Sequence, residues 1–71
     1  MKTKLGEEIP VELVLAIEAD PEVLAMWDKL RPSCQRRYVA LIIEAKKPET
    51  RERRVGRVLK MTAEYYKKHH G

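Results

Sequence analysis

Seventy-one residues with 44% hydrophobic and 37% charged content describe one small folded domain, close to the size at which a single core only just suffices. One cysteine, Cys34, excludes an internal disulfide framework and a cysteine-based zinc site. The formal charge of +4 is unevenly spread: residues 1–30 carry a net −4 and residues 31–71 a net +8. Such asymmetry suits either mutual neutralisation of the two halves or a basic face offered to an acidic partner.

Residues 1–8 show no periodicity and are expected to form a flexible N-terminal arm, with no apolar signal segment. The single helical domain is expected over 9–67 and a flexible tail over 68–71. The longest apolar runs, of which Val39 to Ile43 is one, are far shorter than the roughly 20 residues a membrane-spanning helix needs, so the expected location is cytoplasmic.

Pro10 suits the first position of a helix running to about Ala19, with Glu12 favourably placed in its first turn. Val11, Val14, Leu15 and Glu18 follow one helical line, and Leu13 and Ile17 widen it. Asp20-Pro21-Glu22 then marks an N-cap, a donor-free N1 residue and an acid near the positive helix end. The second helix runs to about Leu30 and buries Val23, Leu24, Trp27 and Leu30. Arg31-Pro32-Ser33 repeats the signal, with Ser33 as the expected N-cap. Helix three, about 33–46, carries Cys34, Tyr38, Leu41, Ile42 and Ala45 on one face, while Val39, Ala40 and Ile43 make it apolar on most sides. It is therefore expected to be the central helix. Pro48 ends it, and Glu49 and Thr50 open a fourth helix with Val55, Val58, Leu59, Thr62, Tyr65 and Tyr66 on its inner stripe. The expected fold class is all-α, a compact bundle of four short helices. Glycine at position 56, inside the fourth helix, suits either close approach to helix three or simple tolerance.

The chemistry-bearing residues point away from catalysis. Cys34 lies on the apolar stripe and has no histidine near it in sequence, so it is expected to be a buried small hydrophobe. His69 and His70 are adjacent in the terminal tail and lack the fixed geometry of a metal site. No phosphate-binding glycine loop, HExxH motif or convergent carboxylate pair is present. No catalytic residue, metal ligand or cofactor is expected.

The basic segment is different. Lys46, Lys47, Arg51, Arg53, Arg54, Arg57 and Lys60 fall within fifteen residues against only Glu49 and Glu52. Three readings fit: a solvated helix face, a surface for an acidic protein, or a nucleic-acid surface working through phosphate contacts. No interleaved aromatics or recognition-helix pattern favours the last.

Ile9-Pro10-Val11-Glu12-Leu13, Asp20-Pro21-Glu22, Trp27, Pro32-Ser33, Arg37-Tyr38, Ile42 and the run Ala45 to Arg51 followed by Arg54 together resemble the YdeI/OmpD-associated (bacteriocin-protection) family, over roughly Ile9 to Ala63. The resemblance implies a small helical module without established enzymatic chemistry, tied in some members to bacteriocin or cationic-peptide resistance and to an outer-membrane porin. The family's recurrent polar residues fall on Tyr38, Lys46, Thr50, Arg51 and Arg54. Leu41 and Tyr65 depart from the family pattern, the latter at a place where relatives often end the helix. The expected function is a non-enzymatic interaction module that binds an acidic protein through the helix 3–helix 4 corner, using Tyr38, Lys46, Lys47, Arg51, Arg53, Arg54 and Arg57. The alternative is nucleic-acid binding by the same face.

Overall fold

The computed structural model describes residues 1–70, the side chain of His70 excepted. It contains four helices: α1 (Val11–Glu18), α2 (Pro21–Lys29), α3 (Pro32–Ile43) and α4 (Pro48–His70). Among the described residues there is no strand, only an isolated bridge between Lys2 and Glu8. The 23-residue α4 at 1.5 Å per residue spans about 34 Å, and it sets the longest dimension of the molecule, 34 × 22 × 18 Å.

Proline and acid signals place the helix starts. Asp20 caps α2 by accepting the Glu22 N–H at 2.9 Å, with Pro21 at the first helical position. The start of α3 lies two residues earlier than expected: Arg31 is its N-cap, Pro32 takes the first helical position and Ser33 lies inside the helix. The lack of an N–H and the fixed φ of proline make it the better first residue. In α1, by contrast, Pro10 is the N-cap and Val11 the first helical residue.

The core gathers Ile9, Leu13 and Ile17 with Trp27, Leu30, Tyr38, Val39, Ile42, Val55 and Val58. Its inward line along α1 is not the one first favoured. Ile9, Leu13 and Ile17 are buried, whereas Val11 and Leu15 are 65% and 67% exposed. Both lines have four-residue spacing, so periodicity alone cannot choose between them. A similar rotation occurs in α3, where Gln35, Tyr38, Val39 and Ile42 are buried, Cys34 is only partly covered and Ile43 is 56% exposed. The helix that packs against each of the other three is α4, although α3 had the more apolar sequence. Length explains this: α4 is long enough to lie along the whole bundle. Gly56 faces open space, so no close approach depends on it.

The first nine residues differ most from expectation. Thr3 and Ile9 are buried, and the segment closes on itself through Thr3 N–H to the Glu7 carbonyl (2.8 Å) and Ile9 N–H to the Met1 carbonyl (3.1 Å). Gly6 supplies the left-handed φ of +84° that this turn requires. The loop then docks on the bundle. Lys4 N–H donates to Gln35 Oε1 at 2.9 Å, and Lys4 Nζ donates to the Leu30 carbonyl at 2.7 Å, where the negative end of α2 favours a cation. Gln35 completes the joint by donating from Nε2 to the Trp27 carbonyl at 2.9 Å. At the other terminus, α4 remains helical through the segment expected to fray, up to His70; Gly71 lies outside the described residues.

Candidate functional site

The corner between α3 and α4 begins with the unpaired backbone of a helix end. The last carbonyls of α3 have no continuing turn to accept from. Those of Ala40 and Ile42 are taken by the N–H groups of Glu44 and Ala45. The carbonyl of Leu41 is taken by Arg54, whose Nη1 donates to it at 2.6 Å. A cation bonded to the carbonyl end of a helix is also favoured by the helix dipole. Arg54 therefore ties α4 to the end of α3.

Arg51, one turn earlier on α4, reaches across to α1. Its Nε donates to Glu12 Oε2 at 2.5 Å and its Nη2 to Glu12 Oε1 at 3.3 Å, a two-pronged pairing between residues 39 apart in sequence. Its Nη1 also approaches the Ala45 carbonyl at 3.5 Å. This is one point at which the acidic N-terminal half neutralises the basic half; Glu7 with Arg36, at 3.5 Å, is another.

The hydrogen bond from Arg51 holds the Glu12 carboxyl below its ordinary value of 4.5, assisted by a backbone bond and by the guanidinium charge against a smaller opposing effect of burial. Its pKa is thus lower in the folded than in the unfolded chain. The stabilisation is fully present above about 4.5 and is lost as pH falls through the folded value. Both side chains are partly solvated, which keeps the effect modest. Melting temperature should fall between pH 6 and pH 3, and Glu12→Gln should make that fall shallower while lowering stability at pH 7. An unchanged acid slope in the variant would show that the pair contributes nothing.

The remaining members of the basic segment are arranged differently. Lys46, Lys47, Arg53 and Arg57 are all exposed. Arg53 and Arg57, one turn apart, line a shallow depression with Thr50 and Arg54, and no carboxylate borders it. Among the described residues, neither makes an ion pair. Tyr38 is not presented with them. It lies in the core at 9% exposure, and burial raises its phenol above the ordinary value of 10. The seven expected site residues thus separate into a buried ring, two arginines used by the fold and four exposed cations.

No three His, Cys, Asp or Glu side chains converge among the described residues. His69 stacks obliquely on Tyr65 instead, with ring centroids 4.3 Å apart. Among the described residues, no helix is long and apolar enough to cross a membrane.

A family model described as "OmdA: Bacteriocin-protection, YdeI or OmpD-Associated" matches residues 8–65. The chain belongs to this family. No curated protein and no solved structure gives a significant match. The OmdA match covers all of α1 to α3 and most of α4, and so takes in both the Glu12–Arg51 pair and the arginine-lined depression. By its description the family is linked to bacteriocin protection.

The charge asymmetry of the sequence pointed to neutralisation between the two halves but did not single out Glu12 or the Leu41 carbonyl as the partners of Arg51 and Arg54. Nor was Gln35 singled out as the joint for the N-terminal loop. The signal was present as a 0, 3, 4, 7 spacing over Gln35, Tyr38, Val39 and Ile42, with a polar residue at its first place.

Proposed function

We propose that this OmdA-family domain is a non-enzymatic interaction module in bacteriocin or stress protection. Its α4 ridge of Arg53 and Arg57, flanked by Lys46, Lys47 and the free edge of Arg54, binds an acidic protein segment. The observation that carries this reading is the contrast within one run of arginines. Arg51 and Arg54 are engaged by the fold, whereas Arg53 and Arg57 are exposed, free of ion pairs and grouped around a depression without acids. Guanidinium groups offer planar, forked donors suited to carboxylates. Phosphate would suit them equally, but no aromatic side chain lines the depression to stack on a base, which favours a protein over a single-stranded nucleic acid. The family description names protection and association rather than a reaction.

The test is capture of partners from the native host by the immobilised chain and by the double variant Arg53→Glu/Arg57→Glu. An acidic protein should be retained by the first and lost by the second, with the melting temperature unchanged. Retention by both would discard this surface. Retention of nucleic acid in place of protein, falling steeply with salt, would replace the acidic partner with a polyanionic strand.

A further inference from the structure

On the side of α4 that faces α1, a second surface has a different chemistry. Leu15, Ala16, Pro48 and Val55 line a groove between the two helices, and Glu12 and Glu52 are its only charged lining residues. Its volume, 460 Å³, falls in the range of clefts that accept small ligands or side chains, roughly 300–1,000 Å³. Leu15 stands at its edge at 67% exposure, and Val11, one turn before it on α1, is also exposed. Val11 and Leu15 thus form an exposed apolar strip beside the groove, while Val55, which also lines it, is buried and belongs to the core.

We infer that this α1–α4 groove is a docking site for a basic amphipathic helix of another protein, with apolar side chains against Leu15, Ala16, Pro48 and Val55 and Lys or Arg side chains toward Glu52. The charge pattern selects this occupant. The lining is apolar or acidic, with no cation. The Glu12 carboxylate is already held by Arg51, but Glu52 makes no ion pair among the described residues, and exposed Glu49 lies one turn before it on α4. An acidic or neutral helix would cover Glu52 without compensating its charge, which is costly. A basic helix supplies the missing partner, and anchors three or four residues apart match a groove between two helices. The chain as a whole is positive at +4. A basic ligand therefore gains from this local acidic edge rather than from the overall field. The site is independent of the arginine ridge and is occupied by a ligand of opposite sign.

Two synthetic probes test it: a helical peptide built of Leu and Lys with a Leu stripe, and its counterpart with Glu in place of Lys. Amide shifts of the whole chain are followed by NMR during titration. The Leu–Lys peptide should shift Leu15, Ala16, Glu52 and Val55, and the Leu–Glu peptide should not. Glu52→Lys should weaken binding by about tenfold or more, equivalent to about 1.4 kcal/mol. Leu15→Gln should weaken it similarly, and Arg53→Glu/Arg57→Glu should leave the same residues responding. Binding of neither peptide, equal binding of both, or insensitivity to Leu15→Gln would overturn the assignment. So would a concentration-dependent dimer abolished by Leu15→Gln, since the occupant would then be a second copy of the chain.

Discussion

Replacing Trp27 with alanine is expected to destabilise the fold by about 3–5 kcal/mol, the range for removing a buried large aromatic. Trp27 is 2% exposed and belongs to the core shared by all four helices. A domain of 71 residues has a total stability of about 4–11 kcal/mol at the usual 0.05–0.15 kcal/mol per residue. The variant should therefore be largely unfolded at the low end of that range and strongly weakened at the high end. Urea denaturation followed by far-UV circular dichroism measures this without relying on the lost fluorophore. A loss below about 1 kcal/mol, the level of an ordinary surface substitution or little more, would mean that Trp27 does not occupy the core position described.

The second large effect is expected at Gln35. Its side chain is 2% exposed and joins the N-terminal loop to α2 by accepting from Lys4 N–H and donating to the Trp27 carbonyl. Gln35→Leu keeps similar bulk and removes both bonds. The Trp27 carbonyl keeps the Leu30 N–H, but the Lys4 amide loses its acceptor. A partly buried amide left without its acceptor costs toward the low end of about 1–3 kcal/mol, and undocking of the loop would add exposure of Thr3 and Ile9. Hydrogen exchange should then quicken at Lys4, Gly6 and Ile9 well before it does in α4. Uniform exchange across the chain, or stability equal to the parent, would contradict the loop's role as a docked part of the fold.

The two residues also mark what a linear reading of the chain captures. Trp27 was legible as an anchor because α2 has one apolar stripe and clear punctuation at Asp20-Pro21. Four helices, their short connections and the family were legible for the same reason, as proline and acid signals are local. The inward face of α1 was not, because Leu13-Ile17, extended by Ile9 just before the helix, and Val11-Leu15 are equally periodic lines. Choosing between them depends on contacts with α2 and α4, which are distant in sequence. The docking of residues 1–9 was hidden for a related reason. It rests on Lys4 meeting a glutamine 31 residues away, and neither residue type signals a buried joint by itself.

The basic segment shows the same division. Its density of charge was evident, but the separate duties of neighbouring arginines follow from helix geometry and from what each reaches. Arg51 and Arg54 point toward Glu12 and the Leu41 carbonyl, while Arg53 and Arg57 remain on the outer side of α4. The neutralising reading and the exposed-surface reading both describe part of this segment, residue by residue.

That division is the central claim, and a paired comparison tests it most directly: thermal melts and partner capture measured on Arg51→Ala/Arg54→Ala and on Arg53→Glu/Arg57→Glu. The first variant should melt at lower temperature, having lost the ties to α1 and to the end of α3. The second should melt with the parent chain and lose the acidic partner. Equal melting of all three proteins, or capture undiminished in the second variant, would contradict the account.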